Sequence, residues 1–222
     1  MGALSLPLMA MTISPVRAAA ILLPILIVQD VVGVWAFRRT WDRAILGWML
    51  PGAAIGIALG YWFAASVDTD AVLGMVGAVS LLFGGYRLWV DRHAAPSAAP
   101  GAPGWVGSLF GIASGFTSQI AHAGQPPYQL WVMSRRLERD VLVGTTAIFF
   151  AVVNWIKVPA YIALGQFTPA NLAAAALLLP IAILSTFAGV WLVRRISAAR
   201  FHSAIYVLMI VVGAKLVWDA AA

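Results

Sequence analysis

Phe116-Thr117-Ser118-Gln119-Ile120-Ala121-His122-Ala123-Gly124-Gln125-Pro126-Pro127-Tyr128 is the stretch that decides how this chain folds. It sets hydroxyl, amide and imidazole groups beside a Gly-Gln-Pro-Pro break, with apolar sequence on either side. Adjacent prolines remove two backbone donors and interrupt a continuing helix. The surrounding apolar segment 105–133 is therefore too broken to cross a bilayer once, before the charges of Ser134-Arg135-Arg136 begin. It is predicted to enter and leave from one side, as a re-entrant pair or tight hairpin. Non-helical backbone at that depth survives only where protein or a water-filled cavity satisfies it.

Composition supplies the bilayer. Of 222 residues, 62% are hydrophobic and 10% charged, and mean hydropathy is +0.92. A soluble domain carries about 25% charged residues. Eight acids and fourteen Lys plus Arg cannot coat a globule of this size. An ordinary cytosolic enzyme and a disordered tail are excluded. The net charge of +6 is scattered among apolar runs rather than gathered into a basic stripe, so no nucleic-acid partner is expected. The expected fold class is an all-α polytopic membrane protein, with the lipid bilayer as its surroundings.

A spanning helix needs about 20 mainly apolar residues. Six segments qualify: 17–37, 44–65, 71–90, 141–164, 169–193 and 201–218. The runs are continuous and rich in Ala and Leu, without the alternation of a barrel strand. Arg38, Arg39, Arg43, Arg92, Arg135, Arg136, Arg139, Arg194, Arg195 and Arg200 sit in connectors and Arg87 in the last turn of the third span, whereas 66–70 and 165–168 hold no cation. Alternate threading puts these arginines on one side, which the positive-inside rule makes cytoplasmic. The location expected is a bacterial-type inner membrane, with the C-terminus outside.

The two halves resemble each other. A shift of 129 positions superposes Pro51 on Pro180, Gly60 on Gly189, Trp62 on Trp191, Gly84 on Gly213 and Trp89 on Trp218. Further upstream, a shift of 124 places Ala20 on Gly144 and Asp30 on Asn154. The expected organisation is an N-terminal repeat, 1–90, a Pro/Ala/Gly-rich linker, 91–104, and a C-terminal repeat, 105–222. The threading gives the halves opposite orientations, so they form an inverted repeat of the kind secondary transporters use. Only the second half opens with a Gly-rich segment, so the first repeat is expected to be incomplete at its start.

Few groups can carry chemistry. Asp30 lies within Leu26-Ile27-Val28-Gln29-Asp30-Val31-Val32, where a carboxylate costs about 2.5–3.5 kcal/mol to insert and usually faces a cavity or partner. Asn154 and Lys157, three apart, share one helix face. Lys157 could pair with Asp30, attract an anion or snorkel to the outer surface. His122 could shuttle a proton or be a satisfied structural histidine. A helix N-terminus at the break would offer free N–H groups to an anion. Gly52, Gly56 and Gly60, like Gly107, Gly111 and Gly115, recur every fourth residue, a helix-packing pattern. Direct substrate contact is plausible only for the second row, which leads into the break. The chain has no cysteine, P-loop, dinucleotide fingerprint, Ser-His-Asp order or metal-ligand cluster, so neither a cofactor nor a metal is expected. A membrane-embedded hydrolase built on His122 and Asp30, a non-transporting scaffold, and a transporter of another small organic or inorganic anion are the rival readings.

The order of these motifs resembles the TauE/SafE family of membrane permeases, the sulfite exporter family. The residues are Ser14-Pro15-Val16-Arg17-Ala18-Ala19-Ala20, Leu23-Pro24, Asp30, Arg38-Arg39-Thr40-Trp41-Asp42 and Leu50-Pro51-Gly52 in the first half. The second half adds Ser114-Gly115-Phe116-Thr117-Ser118, Ala121-His122-Ala123-Gly124-Gln125-Pro126-Pro127, Gly144-Thr145, Phe149, Asn154, Lys157, Pro159 and Tyr161. The resemblance implies permeation of small sulfur-containing anions such as sulfite, sulfoacetate and other organosulfonates, with proton coupling. With the chemistry above, it makes Thr117, Ser118, Gln125, Asn154 and Lys157 the expected anion ligands. Asp30 or His122 is the expected proton carrier. Pro7, Gly115, Gly124, Pro126 and Pro127 would shape two re-entrant tips.

Overall fold

The computed structural model describes residues 2–92, 102–195 and 198–222; the side chains of residues 2–3, 91–92 and 186–202 and of Arg139 lie outside the description. Most of the 91–104 linker also lies outside the described residues. The helices are α1 (Gly2–Ala10), α2 (Pro15–Phe37), α3 (Arg43–Ser66), α4 (Thr69–Arg92), α5 (Gly104–Ala121), α6 (Gln125–Val132), α7 (Arg139–Ala163), α8 (Pro169–Arg195) and α9 (Ala198–Ala221). No strand occurs among the described residues. Among the described residues, five helices are long and apolar enough to cross a membrane: α2, α3, α4, α7 and α9. The sixth expected span falls in the 27-residue α8, whose described apolar part is Pro169–Ser185.

Two compact units form, and each draws on both sequence halves. One comprises Met1–Ile25, Val67–Ala95 and Gln166–Ala222; the other comprises Leu26–Ser66 and Pro96–Gly165. The expected halves describe the repeat in sequence, while packing divides the chain differently. The boundary in α2 falls just after Pro24, which breaks that helix's hydrogen-bond ladder.

In the second unit α3 and α5 run parallel, joined by the two glycine rows. A methyl group on Gly52 would strike Ser108 O, one on Gly56 would strike Ile112 O, and one on Gly115 would strike Ala53 O. Backbone therefore meets backbone, which only glycine allows. α6 then turns back along α5. The position of a Gly107 side chain is filled by the Trp131 ring, and Arg135 Nη2 donates to Ala102 O at 2.6 Å. The predicted hairpin thus has one long arm and one short arm, α6 being eight residues or about 12 Å. Tyr128, Trp131 and Val132 wedge the short arm among Met49, Ala53 and Ile57 of α3 and Phe149 and Val153 of α7.

In the first unit α4 and α9 run antiparallel. The Gly77 position faces Gly213 O at 2.8 Å, and the Gly84 position faces Tyr206 O at 2.8 Å. Under the 129 shift Gly84 corresponds to Gly213 and Gly77 to Tyr206. The 129 shift therefore maps each contact onto the other. Arg87 Nε donates to Tyr206 Oη at 3.0 Å, and Arg17 Nε donates to Asn171 Oδ1 at 2.9 Å.

Candidate functional site

The break after α5 is built by His122. It takes the left-handed conformation, φ 49°, that ends the helix, and its N–H donates to Ser118 O at 3.2 Å. Ala123 N–H reaches Thr117 O at 3.2 Å. Ser114 Oγ donates to Gly124 O at 2.7 Å, fixing the turn from within. A side chain at Gly124 would meet Ser114 O at 2.7 Å, so the loop is pressed onto α5. Pro126 and Pro127 fall in the first turn of α6, where a missing N–H is tolerated.

Lys157 of α7 reaches into this turn with 0% exposure. Its Nζ donates to Ser118 O at 3.3 Å and Ser118 Oγ at 3.2 Å, and lies 2.8 Å from His122 Nδ1. An ammonium has protons only to give, so Nδ1 is the acceptor when Lys157 is charged, and the imidazole hydrogen then sits on Nε2. Tyr161, one turn further along α7, lies nearly parallel to the His122 ring, centroids 6.5 Å apart, and donates to Gln119 O at 2.9 Å. One turn before Lys157, Asn154 Nδ2 donates to Asp30 Oδ2 at 2.6 Å. The two residues that the 124 shift aligns, Asp30 and Asn154, thus bond each other.

Five expected site residues come together: Asp30, Ser118, His122, Asn154 and Lys157. Two expected ligands do not join them. Thr117 Oγ1 is spent on its own helix, donating to Ala113 O at 2.8 Å, and Gln125 is exposed. Gly115 serves the α3–α5 contact, and Pro7 lies buried in α1 of the first unit. The expected helix N-terminus is also poorly supplied, because Pro126 and Pro127 carry no N–H. What the break presents to Lys157 is instead the carbonyl end of α5, where a helix dipole favours a cation. The buried lysine does not snorkel.

Sequence reasoning names Gln119 and Tyr161 but gives neither a role at the site. Tyr161 follows Lys157 by four residues and Asn154 by seven, the spacing of one helix face, and that signal was available. Gln119 carries a buried Oε1 with no hydrogen-bond partner, which nothing in the sequence flags.

A multi-pass helical chain with a broken hairpin and a buried ionisable cluster is built as a membrane transporter is built. The sulfite exporter TauE/SafE profile matches residues 1–216, and the chain belongs to that family. A similar protein is the "Probable inner membrane transporter protein TsaS" of Comamonas testosteroni, 30% identical over 189 residues, covering 81% of this chain and 74% of the relative. No solved structure matches. The chain is a multi-pass membrane transporter of the bacterial inner membrane.

Proposed function

We propose that the chain carries small sulfur-containing anions, such as sulfite, sulfoacetate or other organosulfonates, with a proton as co-passenger and without covalent chemistry. The observation that carries this reading is the Lys157 ammonium, held at close range by Ser118 and His122, with no carboxylate among its bonded partners in the described residues. A sulfonate oxygen is a stronger acceptor for that ammonium than a serine hydroxyl or an imidazole. Coupling follows from the 2.8 Å contact. If His122 takes a proton on Nδ1, it stops accepting from Lys157 and becomes a second donor. An anion then satisfies both, so proton and anion are bound together. Asn154, anchored by Asp30, borders the lysine on α7 and would contribute its amide.

Proteoliposome flux with radiolabelled sulfite and sulfoacetate, with and without an imposed pH gradient, tests the reading. Uptake accelerated by a gradient that drives protons in the same direction is expected. No flux across a panel of sulfonates would sink it.

A further inference from the structure

Within the second unit, α2 has one side that the transport reading leaves unused. Asp30, Gly33 and Phe37 look toward α7. Asp30 accepts from Asn154, a side chain at Gly33 would meet Ala147 Cβ at 3.4 Å, and one at Gly144 would meet Phe37 Cβ at 3.1 Å. On the other side Val28, Val31, Val32 and Trp35 recur at helical spacing and are exposed, the last three by 62%, 69% and 70%. This apolar track leads into Arg38 and Arg39, both exposed. From Val28 to Arg38 the rise is about 15 Å, the depth of one leaflet's hydrocarbon.

The connector that closes the track is anchored. Thr40 O rests against Gly144, Asp42 N–H donates to Thr145 Oγ1 at 2.9 Å, and Trp41 Nε1 donates to Arg38 O at 3.0 Å. The Arg38 guanidinium lies 5.4 Å from the centroid of the Trp35 ring, and that of Arg43 lies 5.6 Å from Trp41. Stacking of this kind uses the face of a guanidinium and leaves its edge to hydrogen-bond an anion. Among the described residues no acid forms an ion pair with Arg38, Arg39 or Arg43. Asp91 alone of the acids has a side chain outside the description, and residues 93–101 contain no acid. Asp42, between the arginines, spends its Oδ1 on Ile45 N–H and so caps α3. By the positive-inside rule this is the cytoplasmic end. We infer that the outward face of α2 seats an anionic phospholipid of the cytoplasmic leaflet, an acyl chain along the valines and the phosphate on Arg38 and Arg39. A second copy of the chain suits the face less well, because a two-fold axis along the membrane normal would set arginines against arginines.

Native mass spectrometry of the purified full chain in detergent, titrated with dioleoylphosphatidylglycerol and dioleoylphosphatidylcholine at equal concentration, reads the lipid retained. The wild type is expected to retain phosphatidylglycerol in preference. Arg39→Gln should hold it about fivefold more weakly, the worth of one cation near an anionic headgroup. Trp35→Ala, which removes the ring beneath the Arg38 guanidinium, should weaken it as well. Arg136→Gln, at an exposed arginine after α6, should keep the wild-type affinity. Equal retention of the two lipids by the wild type overturns the seat, as does wild-type affinity in either Arg39→Gln or Trp35→Ala. An equal loss in Arg136→Gln overturns it too, since attraction spread over all the cations then explains the binding. A lipid-free dimer that Trp35→Ala disperses would give the face to a second copy instead. Melting curves check each variant, and if Trp35→Ala unfolds, Arg39→Gln decides the matter.

Discussion

Lys157 brings a charge into an apolar helix, and its surroundings are graded to suit it. Ser118 O and His122 Nδ1 take its protons, and both come from a helix end that exists because His122 bends into the left-handed region. His122 thus has a backbone task and a side-chain task, and substitutions separate them. His122→Asn, which tolerates positive φ, is expected to keep the fold yet flatten the response of flux to a pH gradient. His122→Val adds strain of roughly 1–2 kcal/mol and is expected to lower the melting temperature as well. Lys157→Met matches the length of the side chain without its charge. Substrate KM should rise roughly 10–100-fold, the worth of a charge-assisted hydrogen bond. An unchanged KM in proteoliposome assays would remove Lys157 from the binding site. Much of this cluster is legible in the sequence, because Asp30, Asn154 and Lys157 are polar where polarity is expensive. Thr117 and Gln125 stand apart from the cluster for a physical reason. Whether a hydroxyl on a helix bonds its own preceding turn or a neighbour depends on what packs there, and sequence spacing does not record that.

At the scale of elements, the α3–α5 contact is set by what is missing from it. Three successive turns of α3 present hydrogen atoms where side chains would stand, and α5 fills the space with main chain at Gly52 and Gly56 and with the Gln119 side chain at Gly60. Gly56→Val is expected to cost roughly 1–3 kcal/mol, since Ile112 O cannot move aside without unwinding α5. Gly47, in the same helix, has nothing within 4 Å of where a methyl group would stand. Gly47→Ala should therefore gain up to about 1 kcal/mol of helix stability. Melting of the two variants in detergent reads the contrast, and equal effects would refute the contact. The period of four in both rows makes this pairing legible in advance. The hairpin arm α6 is less so, because its eight residues owe their helix to Tyr128 and Trp131 packing against α3 and α7.

For the whole molecule, the sequence marks where helices run but not which of them gather. Helices apolar on every side carry no stripe to name a neighbour, so the interleaving of both halves in each compact unit escapes sequence reading. Their directions are better specified. Parallel α3 and α5 and antiparallel α4 and α9 agree with the arginine-based threading. The cysteine-free chain invites a direct test. Single cysteines at Arg39 and Glu138 should react with an impermeant maleimide only from the cytoplasmic side, and one at Asp70 only from the opposite side. Labelling of all three from one side would contradict the arrangement.

The paired glycine contacts of α4 and α9 bear on how such a chain can change over generations. Because each contact repeats the other, a bulkier residue at Gly77 presses on Gly213, the image of Gly84, and a bulkier residue at Gly84 presses on the image of Gly77. Positions 77 and 84 of α4 therefore cannot change independently of α9. A bulkier residue at either must be answered on the facing turn of α9, so substitutions along this seam are expected to come in pairs while the loops vary singly.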